Sequence, residues 1–491
     1  MAIDRNRLRP QLTWNAGAVH WNDACAVWAA PRCERTPTRW RGRSFPLPTV
    51  QSVNRTIAGF FWIGLYLLIV LTPIFIMLVP PVPAGRGFWL ELSIALGFVG
   101  LTQIAVQFIL IARFKRVTAP YGIDIILRYH RQIALLAVGL IVLHPTIIVI
   151  DNPARASLLN PFGGNLASQT AWISLLSLVA IAVSSVFRER LKIDYEWWRL
   201  AHLGLGITAI VFAQLHVSMA GLYTNTWWKH GIWIGTAVLM VGLVVYLRLL
   251  HPLIQRNRRW RVAEIREERG DTHTLVLEPV GHSGFRFDPG QFAWIKVGDS
   301  AFSLEEHPFS FSSSADRTDT IEFGIKELGD FSSRIGDVPV GTRAYVDGPH
   351  GAFSIDRYPA VGYVFIAGGV GITPIMSFLR TMVDRGDPRP VQLIYADKEW
   401  EDVAYREELE AMKKKLQLEI LYVLEEEPHE EWEGETGYVD AELLEKHMPD
   451  EEFARHFFIC GPEVMMNSVH EGLLGHGIPE AHIQMERFAL V

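Results

Sequence analysis

Four histidines stand in apolar sequence at a repeated interval. His130 and His144 lie in one stretch, Ile126–Ile150, and His202 and His216 in another, Trp198–Met219; both pairs are fourteen residues apart. On an α-helix that interval is about four turns, short by roughly 40°, with a rise of about 21 Å. Both imidazoles of one helix therefore look out from nearly one face, near opposite ends of a bilayer core about 30 Å thick. Ionisable side chains are costly at that depth and tend to mark functional positions. Two such helices, parallel and adjacent, would present two stacked pairs of imidazoles. Each pair can bind iron from both sides, as axial ligands of a b-type haem do, so the spacing points to two haems, one above the other. A lone membrane histidine is more often a satisfied polar residue; one interval repeated on two helices favours ligation. His20, His230 and His251 do not share it and read as interfacial or solvated.

Such placement requires a chain that crosses a membrane repeatedly. Of 491 residues 49% are hydrophobic, and the apolar content is gathered before Leu250. Six apolar spans stand out, about Ile57–Leu78, Trp89–Ala112, Ile126–Ile150, Thr170–Phe187, Trp198–Met219 and Trp227–Leu250. Each approaches the ~20 residues a crossing needs. Arg113, Lys115, Arg116, Arg128 and Arg131 flank the second connection, and Arg188, Arg190, Lys192 and Arg199 the fourth; the others carry only Arg86, Arg155 and Lys229. The basic excess marks the cytoplasmic side, which puts both termini inside and makes spans three and five parallel. His130 then pairs with His202 near the cytoplasmic face, and His144 with His216 near the outer face. Pro145, directly after His144, removes a helix hydrogen bond: it either kinks the span and re-aims the outer imidazole, or is a tolerated membrane proline. The expectation is a multi-pass protein of the cell membrane, with the lipid bilayer as its partner.

Other classes fall away. The net charge of -7, with scattered basic residues, gives no support to nucleic-acid binding. Cys25, Cys33 and Cys460 form neither a disulfide framework nor a zinc spacing, and no ferredoxin-like cysteine cluster announces an iron–sulfur centre. Residues 1–56 lack the continuous apolar core of a signal peptide and read as a cytoplasmic tail.

Residues 57–250 thus form the membrane domain and 251–261 a short basic linker. Beyond it, period-two alternation, as in Thr274–Glu278, predicts short strands over 262–358 and a small antiparallel barrel. From 359 to 491 strands and helices alternate as in an open parallel α/β sheet, with a helix expected over Tyr405–Leu416 and the acidic run Glu425–Glu435 expected as a solvated loop. The fold class is multidomain: a six-helix transmembrane bundle, an antiparallel β-barrel, then a parallel-sheet α/β domain.

This half carries short motifs. His307–Pro308–Phe309–Ser310 lies in the barrel region. Lys326–Ser332 ends a strand and is read as opening a helix at Ser332 and Ser333, where hydroxyls and free N–H groups suit a phosphate. Asp347–Gly351 closes the region with a glycine turn. Gly368–Pro374 follows a strand and precedes a helix; its glycines let the backbone approach a pyrophosphate, although it lacks the dinucleotide fingerprint of three spaced glycines. Cys460–Gly461–Pro462 ends the last strand of the alternating part; the cysteine is either a small buried apolar residue or a neighbour of a nicotinamide ring.

In this order the motifs resemble the ferric reductase / NADPH oxidase superfamily, a ferric reductase-like transmembrane domain fused to a ferredoxin–NADP reductase-type module. The resemblance spans about Ile57 to Phe488. It implies FAD, NADPH or NADH, and two b-type haems as cofactors. By resemblance His307, Pro308, Phe309 and Ser310 match the flavin motif, and Lys326, Gly329 and Ser332 the flavin pyrophosphate contacts. Gly368, Gly369, Gly371, Thr373 and Pro374 match the nucleotide loop, and Cys460, Gly461 and Pro462 the nicotinamide side. Phe309, Cys460 and Phe488 are the implied reaction-centre residues, although the chain continues past Phe488 where the family often ends at an aromatic. His130, His144, His202 and His216 match the haem ligands. The implied activity moves electrons from cytoplasmic NAD(P)H through FAD and both haems to an acceptor outside, a ferric chelate or dioxygen (giving superoxide). No protein partner is implied. The alternative is a non-catalytic haem-bearing subunit relaying electrons for a partner redox protein; such a relay needs neither the flavin nor the nucleotide motif. After the second strand of the α/β part, Asp397–Lys398 gives a split signal for the nucleotide: an acid favours a ribose hydroxyl and Lys398 a 2′-phosphate, with a lean to NADPH.

Overall fold

The first helix of the bundle, α1, runs over Val50–Leu78 and carries Pro73 inside it. In this computed structural model residues 50–112, 114, 123–163, 165–426, 432–449 and 451–487 are described. The expected tail up to residue 49 (with His20, Cys25 and Cys33), the basic residues Arg113, Lys115 and Arg116, part of the acidic run, and Phe488 lie outside the described residues. From Asn54 onward the chain forms one unit.

Helices α2 (Phe88–Leu110), α3 (Ile123–Asp151), α4 (Leu166–Val186), α5 (Tyr195–Ala220) and α6 (Trp227–Val245) follow. Among the described residues six helices are long and apolar enough to cross a membrane, those of a multi-pass membrane protein. Local sequence sets their ends: the Asn165 side chain caps α4 by accepting from the Ser168 N–H, and α5 stops at Gly221 in the left-handed region. α3 runs through Pro145 to Asp151 without interruption. α2 approaches α3 closely because Gly100 has no side chain; a Cβ there would lie 2.7 Å from Ile141. Ser174 of α4 donates to the Ala209 carbonyl of α5 at 2.9 Å, a polar tie where no water competes.

The expected linker is helical at its start. α6 passes through a π-turn, Tyr246–Leu250, straight into α7 (His251–Arg256), with Pro252 directly after the π-turn.

The barrel contains β1 (Trp260–Glu268), β2 (Thr272–Pro279), β3 (Phe292–Val297), β4 (His307–Ser310), β5 (Ile321–Lys326) and β6 (Arg343–His350) in the order β4-β3-β6-β1-β2-β5. All pairs are antiparallel, and a bridge between Phe311 and Phe323 brings the two edges of the order together. Trp260, Val262, Leu275, Leu277, Ile295 and Phe323 fill the interior.

The last sheet is parallel throughout: β7 (Tyr363–Gly368), β8 (Val391–Asp397), β9 (Leu418–Leu424), β10 (Glu435–Thr436), β11 (His456–Cys460) and β12 (Ile483–Glu486), ordered β10-β9-β8-β7-β11-β12. Helices α8 (Ile372–Arg385), α9 (Arg406–Met412), α10 (Ala441–His447) and α11 (Glu463–Gly475) accompany it. Two expectations change here. The helix expected from Tyr405 starts at Arg406 and is shorter, because Tyr405 sits in the left-handed region at φ 58. Glu435 is an edge-strand residue bound to Lys446 and His447, both at 2.7 Å, rather than a solvated loop residue.

Barrel and α/β domain are locked together. Arg380 of α8 reaches Glu322 of β5 at 2.8 Å, Glu408 of α9 at 2.6 Å and the Ser312 carbonyl at 2.9 Å. The barrel also meets the bundle: Leu127 packs on Phe292 and Trp294, Arg199 pairs with Glu306 at 2.9 Å, and His251 lies 3.8 Å from Asp347.

Candidate functional site

The two apolar histidine helices, α3 and α5, place their rings in pairs. His130 and His202 have ring centroids 6.3 Å apart, and His144 and His216 are 6.4 Å apart. Two metal–nitrogen bonds of about 2 Å and two imidazole radii of about 1.1 Å span roughly 6.2 Å, so each gap has the size of one axially ligated iron. The outer nitrogens are tied back. His216 Nδ1 donates to the Ala167 carbonyl at 2.9 Å, and His144 Nδ1 to the Ser93 carbonyl at 2.8 Å. A carbonyl only accepts, so Nδ1 carries the proton and Nε2 keeps the lone pair that a metal needs. His202 Nδ1 lies 3.4 Å from Ser185 Oγ, whose own proton goes to the Ile181 carbonyl. His130 Nδ1 has no hydrogen-bond partner among the described residues.

A cavity of about 460 Å³ between α2, α3, α4 and α5 has His144 and His216 in its wall, with Leu90, Phe98, Leu175 and Ile210 around them. Its size suits a cofactor. Gly97 makes room for the imidazole, since a Cβ there would lie 3.3 Å from the His144 ring.

The second cavity, about 1230 Å³, is lined by His307, Pro308, Phe309 and Ser310 of β4, by Lys326, Gly329 and Ser332, and by Thr373 of α8. The connection between α4 and α5 closes it from the bundle side with Arg188, Lys192 and Tyr195. The His307 ring stacks on Phe331 at 4.2 Å, and Phe309 on Phe331 at 6.0 Å. Burial pushes the His307 imidazole below its usual range, against the pull of Glu196, Glu305 and Glu306. His307 Nε2 and Ser310 Oγ are buried without a hydrogen-bond partner among the described residues. Such atoms are costly unless a bound molecule satisfies them. Aromatic walls, two waiting polar atoms and a rim of cations fit a flat, polar-edged, phosphorylated molecule, as a flavin nucleotide is.

One expected detail differs. Ser332 opens only a three-residue 3-10 turn, Ser332–Arg334, and its hydroxyl already accepts the Leu328 and Gly329 N–H groups, both at 2.9 Å. The short loop after β5 closes on its own serine, so no helix N-terminus forms there.

The glycine loop after β7 and the Cys460–Pro462 loop after β11 face each other. β7 is the strand where the sheet order reverses, and such crevices are where open α/β sheets take ligands. The two backbones touch: a Cβ on Gly371 would run into the Cys460 carbonyl, and one on Gly368 would lie 2.8 Å from Pro462 Cδ. Gly369 is in the left-handed region at φ 54. Gly371 precedes α8, and Thr373 and Pro374 fall in its first turn; Thr373 Oγ1 donates to the Gly324 carbonyl of β5 at 3.4 Å.

Cys460 is fully buried, and burial, with Glu486 nearby, pushes its thiol well up. Its side chain has the apolar environment of the first sequence reading. The sequence reading missed Glu486: it pairs in register with Cys460, is itself buried, and lines the larger cavity. Its parity on β12 was the available signal. Lys398 is exposed, and its N–H donates to Asp397 Oδ1 at 2.9 Å. Burial raises the Asp397 carboxyl to about 6. Phe488 lies outside the described residues.

Three family descriptions match the chain in succession: a ferric reductase like transmembrane component over residues 96–213, an FAD-binding domain over 260–353, and an oxidoreductase NAD-binding domain over 365–471. The glycine betaine monooxygenase reductase subunit of Chromohalobacter salexigens is 28% identical over 46% of this chain and 63% of its own length. NADH-cytochrome b5 reductase 1 of Candida glabrata is 31% identical over 31% of this chain and 55% of its own. The chain thus spans less than two thirds of the length of these curated relatives. The FAD/NAD-binding domain of a nitric oxide dioxygenase from Vibrio cholerae O1 biovar El Tor is 23% identical, with a TM-score of 0.42 over 47% of this chain and 98% of that one.

Proposed function

For an NAD(P)H-dependent membrane oxidoreductase with the fused architecture of the ferric reductase / NADPH oxidase superfamily, we propose electron transfer across the bilayer through two b-type haems to an acceptor on the far side, a ferric chelate or dioxygen. The observation that carries this reading is the pair of imidazole gaps, 6.3 and 6.4 Å, stacked on the same two helices. We propose the domain limits that the sequence implies: 57–250 for the membrane part, 251–261 for the linker, 262–358 for the flavin part and 359–491 for the nucleotide part. Arg128, Arg131, Arg188, Arg190, Lys192 and Arg199 gather at the bundle ends nearest the barrel, which supports a cytoplasmic position for both soluble domains.

When bound, FAD and the haems supply the change from two-electron to one-electron chemistry. The residues do the rest. His130 with His202, and His144 with His216, would hold one haem iron each. The Ser93 and Ala167 carbonyls keep the far pair in the ligating tautomer. Pro308, Phe309 and Phe331 would supply the aromatic and apolar walls for the flavin, Ser310 and His307 polar atoms, and Lys326, Arg188 and Lys192 positive charge for its phosphates. The Gly368–Pro374 and Cys460–Pro462 loops, packed on each other through their glycines, would receive the nucleotide at the open side of Gly369, with Cys460 buried behind them and Glu486 on the cavity wall. No residue need move a proton for the electron steps.

The test is a spectrum of the purified full-length protein. Flavin with two b-type haems, reduced by NAD(P)H alone, supports the reading, and turnover with ferric chelate or with dioxygen then names the acceptor. One haem per chain, or haem that NAD(P)H leaves oxidised, would overturn it.

A further inference from the structure

We infer that the tip of the β3–β4 hairpin, the loop Gly298–Glu306, inserts Phe302 and Leu304 into the lipid leaflet on the flavin side, so that the barrel is held to the membrane by lipid as well as by the bundle.

The register of the hairpin shows which face looks at the membrane. Phe292 pairs with Ser310 and Trp294 with Pro308; Ala293 pairs with Phe309 and Ile295 with His307. Directly paired residues share a face. Ala293 and Ile295 belong to the barrel core, whereas Phe292 and Trp294 pack on Leu127 at the start of α3. The hairpin therefore lies flat across the ends of the spans. At its tip, Arg199 Nη2 donates to Glu306 Oε2 at 2.9 Å and Nη1 to the Leu304 carbonyl at 3.4 Å.

Arg199 is the fifth residue of α5. That helix has 26 residues, more than the ~20 a bilayer core requires, and begins Tyr195–Glu196–Trp197–Trp198, with Trp197 mostly exposed. Aromatic residues and an arginine at a span end mark headgroup depth. A loop whose carbonyl is bonded to Arg199 is at the same depth.

The loop itself is ordered by its own polar groups. Lys296 Nζ donates to the Ala301 carbonyl at 2.9 Å, Tyr345 Oη to the Asp299 carbonyl at 3.2 Å, and the Phe302 and Glu305 N–H groups to Ser300 and Ser303 hydroxyls at 3.1 and 3.2 Å. Ala301 is turned in and buried, while Phe302 and Leu304 are held out, 43% and 40% exposed. A tip that spends its hydrogen bonds on holding two large apolar side chains away from its own core, at headgroup depth, fits an apolar phase.

The test places a benzophenone amino acid at position 302, and separately at 304, in the full-length protein in phospholipid nanodiscs. Position Tyr438, an exposed aromatic on the α/β domain, serves as control. After irradiation, mass spectrometry counts phospholipid adducts. Severalfold more adduct at 302 and at 304 than at 438 is expected. Adduct at 302 and 304 no higher than at 438 would overturn the inference. Because the two positions are tested separately, a failure of one variant to fold leaves the other decisive.

Discussion

Ser93 holds His144 at two points: its carbonyl accepts from Nδ1 at 2.8 Å, and its hydroxyl donates to the His144 carbonyl at 2.8 Å. The residue before Pro145 has a carbonyl, an imidazole and a helix turn to place at once, and one serine on the neighbouring span places the first two. Ser93→Ala keeps the carbonyl contact and loses the hydroxyl, so a modest loss of about 1 kcal/mol in thermal stability is expected, with the haem spectrum retained. Loss of a haem from Ser93→Ala would mean that the hydroxyl, rather than the carbonyl, sets the ring.

His144→Ala or His216→Ala should each remove one haem and leave the other, because both residues face one gap. Pyridine haemochrome quantitation reads this directly. Two haems per chain in both variants would show that the pairing is wrong.

Phe309→Ala with Ser310→Ala removes an aromatic wall and a buried hydroxyl that has no partner among the described residues. FAD affinity should fall about tenfold or more, since each kcal/mol or so of lost contact is most of a decade. Haem reduction by NAD(P)H should slow while the haem spectrum survives. Unchanged flavin content would remove both residues from the site.

Arg380→Met removes the guanidinium shared by Glu322 and Glu408; Glu322 keeps Arg266 at 2.7 Å, and Glu408 is partly exposed. Losing charged hydrogen bonds at this partly buried site costs about 1–3 kcal/mol, so the temperature at which flavin is released on heating should drop. A release temperature within error of the parent's would show that the two soluble domains do not depend on this clamp.

Lys398→Ala should raise KM for NADPH and leave KM for NADH nearly unchanged. Asp397 adds a pH dependence. Burial raises its carboxyl to about 6 in the folded chain against an ordinary 3.8, so the folded state binds that proton more tightly. The stabilisation is complete below the ordinary value and is lost as pH rises through about 6. Thermal stability should therefore decline between about pH 4 and 6, and Asp397→Asn should flatten that part of the curve. A slope that survives the substitution belongs to other groups.

The bundle and both sheets were legible because burial leaves a period in the sequence: long apolar runs for the spans, alternation for the barrel, strand and helix in turn for the last domain. The four histidines were legible because one interval occurs twice. What was not legible depends on contacts between distant segments. Glu486 enters the larger cavity only because β12 pairs in register with β11. Arg188 and Lys192 read as topology signals, yet they also line that cavity. Ser332 read as a helix cap, but a loop of a few residues folded its N–H groups onto the serine first. Tyr405 reads as a helix residue by composition, and its backbone conformation delays the helix by one position.

The helix that leaves the bilayer does so without a break: α6 continues through the π-turn at Tyr246–Leu250 into α7, and β1 begins at Trp260. Such a connection behaves as a shaft rather than a leash. Each residue added to it turns whatever it carries by about 100° and advances it by about 1.5 Å. A single insertion near Leu250 would swing Glu306 away from Arg199, whereas seven residues, nearly two whole turns, would restore the heading at a greater height. The angular setting of the flavin side over the membrane is thus written in helical phase, and a π-turn, which absorbs one residue without ending the helix, is the kind of element that adjusts it.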